Sequence, residues 1–286
     1  MKNFGREYRF AAGPAGIPDA GFEVGATSPE SPEALHIKFS VDKSDSETPN
    51  TASVSLWNLS PEHLSILNEK DCVVSLRAGY ETHMSLILVG AITYIETSLD
   101  VGDRETSIEI ADGRIELRDC YLSLSYSGVI NTKKIIEDIA ADMGVTVTFS
   151  YNAQFAELPN GFAFVGTGRV ALDNACASSG LQWGIQNGVL QVKNSGDVMS
   201  REVYVLSPET GLIGIPKKVN YGANAENAEE ESGYEVEYFL NGAIGIGDYI
   251  RLESEVTQGY YRMRSVELRG DNLEGDWLCV AKLVEA

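Results

Sequence analysis

Three histidines, four cysteines and 42 aspartates and glutamates are the side chains of this 286-residue sequence best suited to acid, base, nucleophilic or metal chemistry. Each such chemistry needs a matched set: a nucleophile beside a base, two carboxylates across a cleft, or several ligands converging on one ion. His36 lies on a strand of period two, on the face opposite Leu35, Ile37, Phe39 and Val41. His63 falls in the first turn of a capped helix and His83 in the polar turn ETHMS. All three read as exposed structural residues. So many acids place some carboxylates together by chance, and a glycosidase pair drawn from Glu109 or Asp112 has no support beyond that. Cys72, Cys120, Cys176 and Cys279 form no CxxC pair and sit among apolar or β-type neighbours. They read as small core side chains, neither disulfides nor zinc ligands, which fits synthesis in a reducing compartment.

Gly242, Gly245 and Gly247 in NGAIGIGD have the look of a phosphate-cradling loop, but a dinucleotide fingerprint leaves a strand and enters a helix, and here the strand YIRLES follows. A bend between strands is expected. GxxxxGK[ST], HExxH, GxSxG and EF-hand patterns do not occur, and the sequon at Asn58-Leu59-Ser60 carries little without a secretory signal. The expectation is a chain with no catalytic, cofactor or metal set, and no enzyme.

The elements that would have to position any site are mostly strands. Leu35, Ile37, Phe39 and Val41 alternate inward over residues 35–41, residues 52–57 (ASVSLW) repeat the pattern, and residues 72–78 do so again. Between the last two, Ser60 is an N-cap, Pro61 fits the first helical position, and Leu64 and Leu67 supply an apolar stripe. The run LILVGAI implies burial on both faces, and five or six strands precede residue 120. Helical spacing belongs to the middle. Asn131 caps a helix whose Ile135, Ile136, Ile139, Ala140 and Met143 share one side, and Gly144 ends it in the left-handed conformation. A second helix over residues 168–179 places Val170, Leu172, Ala175 and Cys176 inward, and Asn187-Gly188 joins two short strands in a tight hairpin. Residues 201–286 return to strands.

These patterns predict a mainly β fold with a small α+β portion: an N-terminal Gly/Pro/Ser-rich arm or loop at 1–34, a β unit at 35–120, an α+β unit at 121–200 and a second β unit at 201–286. Charge follows the same division. Residues 1–120 hold ten cations against twenty carboxylates, residues 121–200 four against six, and residues 201–286 eight against sixteen. A net −20 repels phosphate backbones, which excludes sequence-independent nucleic-acid binding. No stretch approaches the ~18–20 consecutive apolar residues of a membrane span, so no membrane insertion is expected.

Several strings then acquire a common meaning. FSVDKSDSETPNTASVSLWNLS (39–60), DCVVSLRAGYETHMSLILVGAI (71–92), SIEIADG (107–113), the helix-and-hairpin strings of 130–193 and FLNGAIGIGDYIRLES with GYYRMRSVELRGDNLEGDW toward the end occur in one order over some 250 residues. That order resembles the tailed-phage baseplate hub family, which includes the late-control-D-like proteins. The resemblance covers most of residues 35–286, is weaker over 1–34, and leaves the acidic loop at 226–231 as an insertion. It implies two tube-type β-barrel domains flanking the middle region, and a homotrimer whose six barrels adapt a six-fold tail tube to a three-fold spike. Implied partners are a tail tube or distal tube protein, the central spike, baseplate wedge proteins and a tape-measure protein. DNA would pass an acidic lumen without specific binding, in the baseplate of a virion made in the host cytoplasm. The residues it singles out are packing and turn positions: Asn50, Asn58, Gly79, Tyr80, Gly113 and Trp277. A hexameric distal-tail or tube adaptor ring, or an unrelated β-rich carbohydrate-binding or carbohydrate-active protein, are the competing expectations.

Overall fold

The structure, a computed structural model, describes residues 5–17, 20–26, 34–45, 49–81, 83–100, 102–221 and 231–285. The first strands and helix are β1 (Arg6–Pro14), β2 (Phe22–Ala26), β3 (Ile37–Ser44), β4 (Thr51–Trp57), α1 (Pro61–Leu67), β5 (Cys72–Tyr80), β6 (His83–Asp100) and β7 (Asp103–Ala111). The middle holds α2 (Arg114–Asp119), β8 (Tyr121–Tyr126), β9 (Ile130–Asn131), α3 (Thr132–Met143), β10 (Thr146–Phe149), β11 (Glu157–Leu158), β12 (Phe162–Thr167), α4 (Gly168–Ala177), β13 (Leu181–Gln186) and β14 (Val189–Asn194). The last strands are β15 (Val203–Leu206), β16 (Leu212–Tyr221), β17 (Glu231–Phe239), β18 (Tyr249–Glu253), β19 (Gln258–Asp271) and β20 (Trp277–Glu285). The fold is mainly β. Of the acidic loop, residues 226–230 lie outside the described residues.

Thirteen strands make one sheet, in the order β16-β17-β20-β19-β3-β4-β7-β6-β5-β1-β2, with β18 beside β19 and β15 beside β18. The 14-residue β19 is the hinge of that order. Along one edge its first part, to Arg262, pairs with β18 and its last part, from Ser265, pairs with β3. The register against β20 shifts between Met263 and Ser265, which is where a bulge bends a strand and lets the sheet turn from one group of partners to the other. The two β portions of the sequence therefore meet in one sheet and share one core cluster, running from Tyr8 through Ile110 and from Leu206 through Leu283. On β3 the alternation is as the sequence predicts, with Ile37, Phe39 and Val41 all buried. A second register shift, opposite Leu76/Arg77, turns both Ile87 and Leu88 into the core, the physical origin of the apolar run LILVGAI.

The structure corrects three readings. Residues 1–34 are not simply an arm or loop: β1 and β2 are strands, β1 pairing with β5 along its whole length and burying Tyr8 and Phe10. Their Gly, Ala and Pro content hid a pairing that a partner strand supplies. His36 and His63 are half-buried and stacked, on Trp57 at 3.9 Å and on Phe22 at 4.2 Å, and only His83 is exposed. Leu172, Ala175 and Cys176 are buried as expected, but Val170 points outward and Ala171 takes the inward place, because the buried stripe of α4 runs Gly168, Ala171, Leu172, Ala175, Cys176 at spacings of three and four and Val170 falls off it. The short α2, to which the sequence pattern assigned no element, follows the left-handed Gly113.

The middle portion packs around its own core cluster, built by α3, α4 and the β13–β14 hairpin. Asn131 accepts from Lys133 N and caps α3, Gly144 closes it at φ 73°, and the five inward residues of α3 are buried, together with Thr132. Asn187 (φ 52°) and Gly188 (φ 77°) form the hairpin tip that their sequence predicts.

Candidate assembly surfaces and joints

The six residues singled out in the sequence fall into three places. Gly79, Tyr80 and Trp277 meet at a seam between β5 and β20. Trp277 Nε1 donates to the Gly79 carbonyl at 2.9 Å, and Tyr80 Oη donates back to the Trp277 carbonyl at 3.2 Å. Phe39 packs edge-on to the indole at 5.5 Å, and the Arg6 guanidinium lies over it at 5.8 Å. A Cβ on Gly79 would come within 2.1 Å of the His83 carbonyl oxygen, so the strands approach this closely only with glycine there. Burial pushes the Tyr80 hydroxyl up to about 12 and the neighbouring Cys279 thiol up to about 12, so both stay neutral.

Asn50 and Gly113 meet at a socket that receives the hairpin tip. Asp112, 1% exposed, accepts from Asn187 N at 2.5 Å and from Gly188 N at 2.9 Å. A two-residue turn of positive φ aims successive N–H groups outward, and one carboxylate satisfies both. Asn50 donates to the Ile185 carbonyl at 3.1 Å and to Gln186 Oε1 at 2.9 Å, while its own Oδ1 accepts from Ser44 N at 3.1 Å. Lys43 Nζ donates to Asn187 Oδ1 at 2.9 Å. Gly113 takes φ 65°, and a Cβ there would press to 2.7 Å on Ile185 Cδ1. Burial holds the Lys43 ammonium down to about 8 against the opposing pull of Asp112, and burial raises the Asp112 carboxyl in spite of its two backbone donors.

Asn58 stands apart from both, in an exposed turn at φ 61°. Its side chain donates to Asp103 Oδ1 and accepts from Arg104 N, each at 3.0 Å, and clips the end of β4 to the start of β7.

Lys43 was not anticipated, and Asp112, weighed only as a glycosidase carboxylate, instead holds the hairpin tip; for Lys43 the signal existed. Lys43 continues the inward parity of Ile37, Phe39 and Val41, and a cation on an apolar face asks for a buried partner.

The third feature is the open face of the great sheet. Cross-strand registers place Lys38, Ser40 and Asp42 of β3 beside Ser55, Ser53 and Thr51 of β4, then Ser107 and Glu109 of β7, then Glu96 and Tyr94 of β6. In the other direction the same face carries Glu267 and Arg269 of β19, Lys282 of β20, and Glu235 and Glu237 of β17. Arg269 grips Glu267 at 2.6 Å through both carboxylate oxygens and holds its carboxyl below the usual range, whereas Asp42, desolvated and facing Glu267, is raised. Seven strands thus present one face on which carboxylates outnumber cations, with Trp57, Tyr94, Phe239, Leu278 and Val280 interspersed among the polar side chains. A groove of about 760 Å³ crosses it, with the His36–Trp57 stack at one end and Glu267 and Arg269 along it.

The cysteines are free thiols, Cys72, Cys176 and Cys279 buried and Cys120 half-buried. Among the described residues no helix is long and apolar enough to cross a membrane.

A family model described as baseplate hub gp41 matches residues 19–259. No curated protein matches the chain. Among solved structures, the 43 kDa tail protein of prophage MuSo2 from Shewanella oneidensis is 10% identical, with a TM-score of 0.64 over 97% of this chain and 96% of that one. A tail protein from Neisseria meningitidis MC58 is 12% identical, with a TM-score of 0.60 over 99% and 97% of the two chains. An Escherichia coli component of the type VI secretion system, which exhibits structural similarity to T4 bacteriophage tail proteins, is 9% identical, with a TM-score of 0.60 over 90% of this chain and 76% of that one. At these identities the likeness is one of fold.

Proposed function

The chain belongs to the baseplate hub gp41 family, and from that premise we propose that it is the structural hub of a phage or phage-like tail: a homotrimeric ring that adapts a six-fold tube to a three-fold spike. The observation that carries this reading is the seven-strand polar face, bent at β19 between two groups of strands that share a core. The two groups, β3 to β7 with β1 and β2 on one side and β15 to β20 on the other, are the tube-type domains of the reading, so three chains present six similar surfaces. The polar face lines the channel. Its excess of carboxylates repels a passing phosphate backbone, so DNA slides without being held. The tail tube or distal tube protein, the central spike, wedge proteins and the tape-measure protein are the partners of such a ring, and the virion baseplate is its place.

Charge reversal on the face tests the channel. Tails carrying Glu96→Lys, Glu105→Lys and Glu109→Lys together should assemble, because these side chains lie on the open face and not in the core, yet release DNA at least about tenfold more slowly at low salt, with the defect fading as salt screens it. Release kinetics equal to wild type at every ionic strength would remove this face from the channel.

A further inference from the structure

Beside the socket lies an ionic cluster that the hairpin tip does not use. Asp45, following β3, contacts Lys193 Nζ of β14 at 2.5 Å and accepts from Arg262 Nη1 of β19. The two cationic side chains are only 7% and 5% exposed, and they share this one carboxylate. An ammonium has three hydrogens to place, and the Asp45 contact leaves Nζ without a well-aimed acceptor; Arg262 Nε also has none among the described residues. Asp197 adds its field at Lys193 but is half-buried and accepts from Asn194 at 2.6 Å. Buried donors left open are costly, so the cluster calls for a further acceptor.

A place for one adjoins it. A cavity of about 230 Å³ is lined by Asp45, Lys193, Gln182, Gln186 and Gln191, and Gly184 leaves its part of the wall without a side chain. On β13 and β14 the registers Gln182↔Lys193 and Gly184↔Gln191 bring these residues to one face of the hairpin. Gln186 is already engaged, donating to the Ser44 carbonyl at 3.1 Å, whereas the amides of Gln182 and Gln191 line the cavity beside Lys193.

We propose that this cavity is an oxyanion site, in which a carboxylate or phosphate oxygen accepts from Lys193 Nζ and the flanking glutamine amides and balances the second cation of the cluster. Because Asp45 directly follows β3 while Arg262 and Lys193 lie on β19 and β14, the bound anion ties the middle portion to the great sheet at the point where β19 bends.

Thermal unfolding of the full chain in increasing inorganic phosphate, and separately in acetate, at an ionic strength held constant with chloride, tests this. The wild type should show a saturable rise in midpoint with at least one of the two anions, Lys193→Met should lose the saturable part, and Gln191→Leu should need at least about threefold more anion for the same rise. Phosphate also stabilises proteins generally by exclusion from their surface, so equal and unsaturating responses in all three proteins would overturn the proposal. Should Lys193→Met fail to fold, calorimetric titration of the wild type and Gln191→Leu decides: a heat saturating at one anion per chain and weakened in the variant supports the site, and no saturable heat with either anion refutes it. Saturation with acetate alone identifies a carboxylate as the natural occupant, and with phosphate alone a phosphate group.

Discussion

At the seam, an indole, a phenol and a phenyl ring lie between β5, β20 and β3, and two hydrogen bonds to backbone carbonyls fix them in place. At the socket, a carboxylate, an amide and an ammonium hold a hairpin tip by its polar groups. The seam residues Phe39, Tyr80 and Trp277 belong to the same core cluster as both β portions, whereas the middle portion keeps a cluster of its own and meets the sheet through polar contacts. Apolar burial is non-directional and merges what it joins into one cooperative body. Polar plugs are directional and leave the two bodies able to part locally.

The largest effect should follow from Trp277→Ala, which empties a buried aromatic site and leaves the Gly79 carbonyl without its donor; a loss of about 4 kcal/mol is expected. Denaturant unfolding should show the two β portions lost together, in one transition at lower denaturant, by probes placed in each. Separate transitions for the strands before residue 112 and those after residue 202 would break the comparison.

The socket is sharpened by pH. Lys43 is held down to about 8 in the folded chain, against an ordinary value of 10.5. Between those values the unfolded chain binds the proton and the folded chain does not, so this residue's contribution to stability rises with pH across that window. Below about 8 both states are charged and the burial cost is felt in full. The wild type should therefore gain up to about 3 kcal/mol on Lys43→Met between pH 8 and 10.5. The difference between the two proteins is the readout, measured in a Cys279→Ala background because Cys279 interacts with Lys43, while Tyr80, raised by burial, weakens both proteins in the same alkaline range. A difference independent of pH would show that the ammonium is not desolvated by the socket.

Asp112→Asn keeps the shape but loses the charge and one of the two acceptors of the hairpin N–H groups, an expected cost of about 2 kcal/mol. Here the loss should be local. Hydrogen exchange should quicken in the β13–β14 hairpin and in α3 and α4 before it quickens in β3 to β7, and equal acceleration in both would contradict the two-body reading.

Much of this was legible in the residues. The alternation of β3, the Asn131 cap and Gly144 stop of α3, and the Asn187-Gly188 turn each follow from local chemistry, and each stands where the sequence places it. Long-range meaning was harder to read. Nothing local tells that Gly79 must be small because the His83 carbonyl closes on it, or that Asn187 is held by Asp112 from 75 residues away. β1 and β2 were missed for the same reason: Ala and Gly carry little strand preference, and pairing with β5 supplies what propensity lacks.

The smallest effect belongs to the exposed clip. Asn58→Ala forces a Cβ-bearing residue without a local hydrogen bond into the left-handed region, an expected loss of about 1 kcal/mol. Because Asn58 touches neither seam nor socket, the loss should add to that of Trp277→Ala in the double variant, and a strong departure from additivity would show that the β4–β7 turn and the seam are coupled.

The central claim is the three-fold hub, and the copy number of this chain in purified particles, measured by quantitative mass spectrometry against the major tube protein, tests it most directly. Three copies per particle is the predicted result. Six copies would make the chain an adaptor ring, and reproducible absence from particles would contradict the structural role.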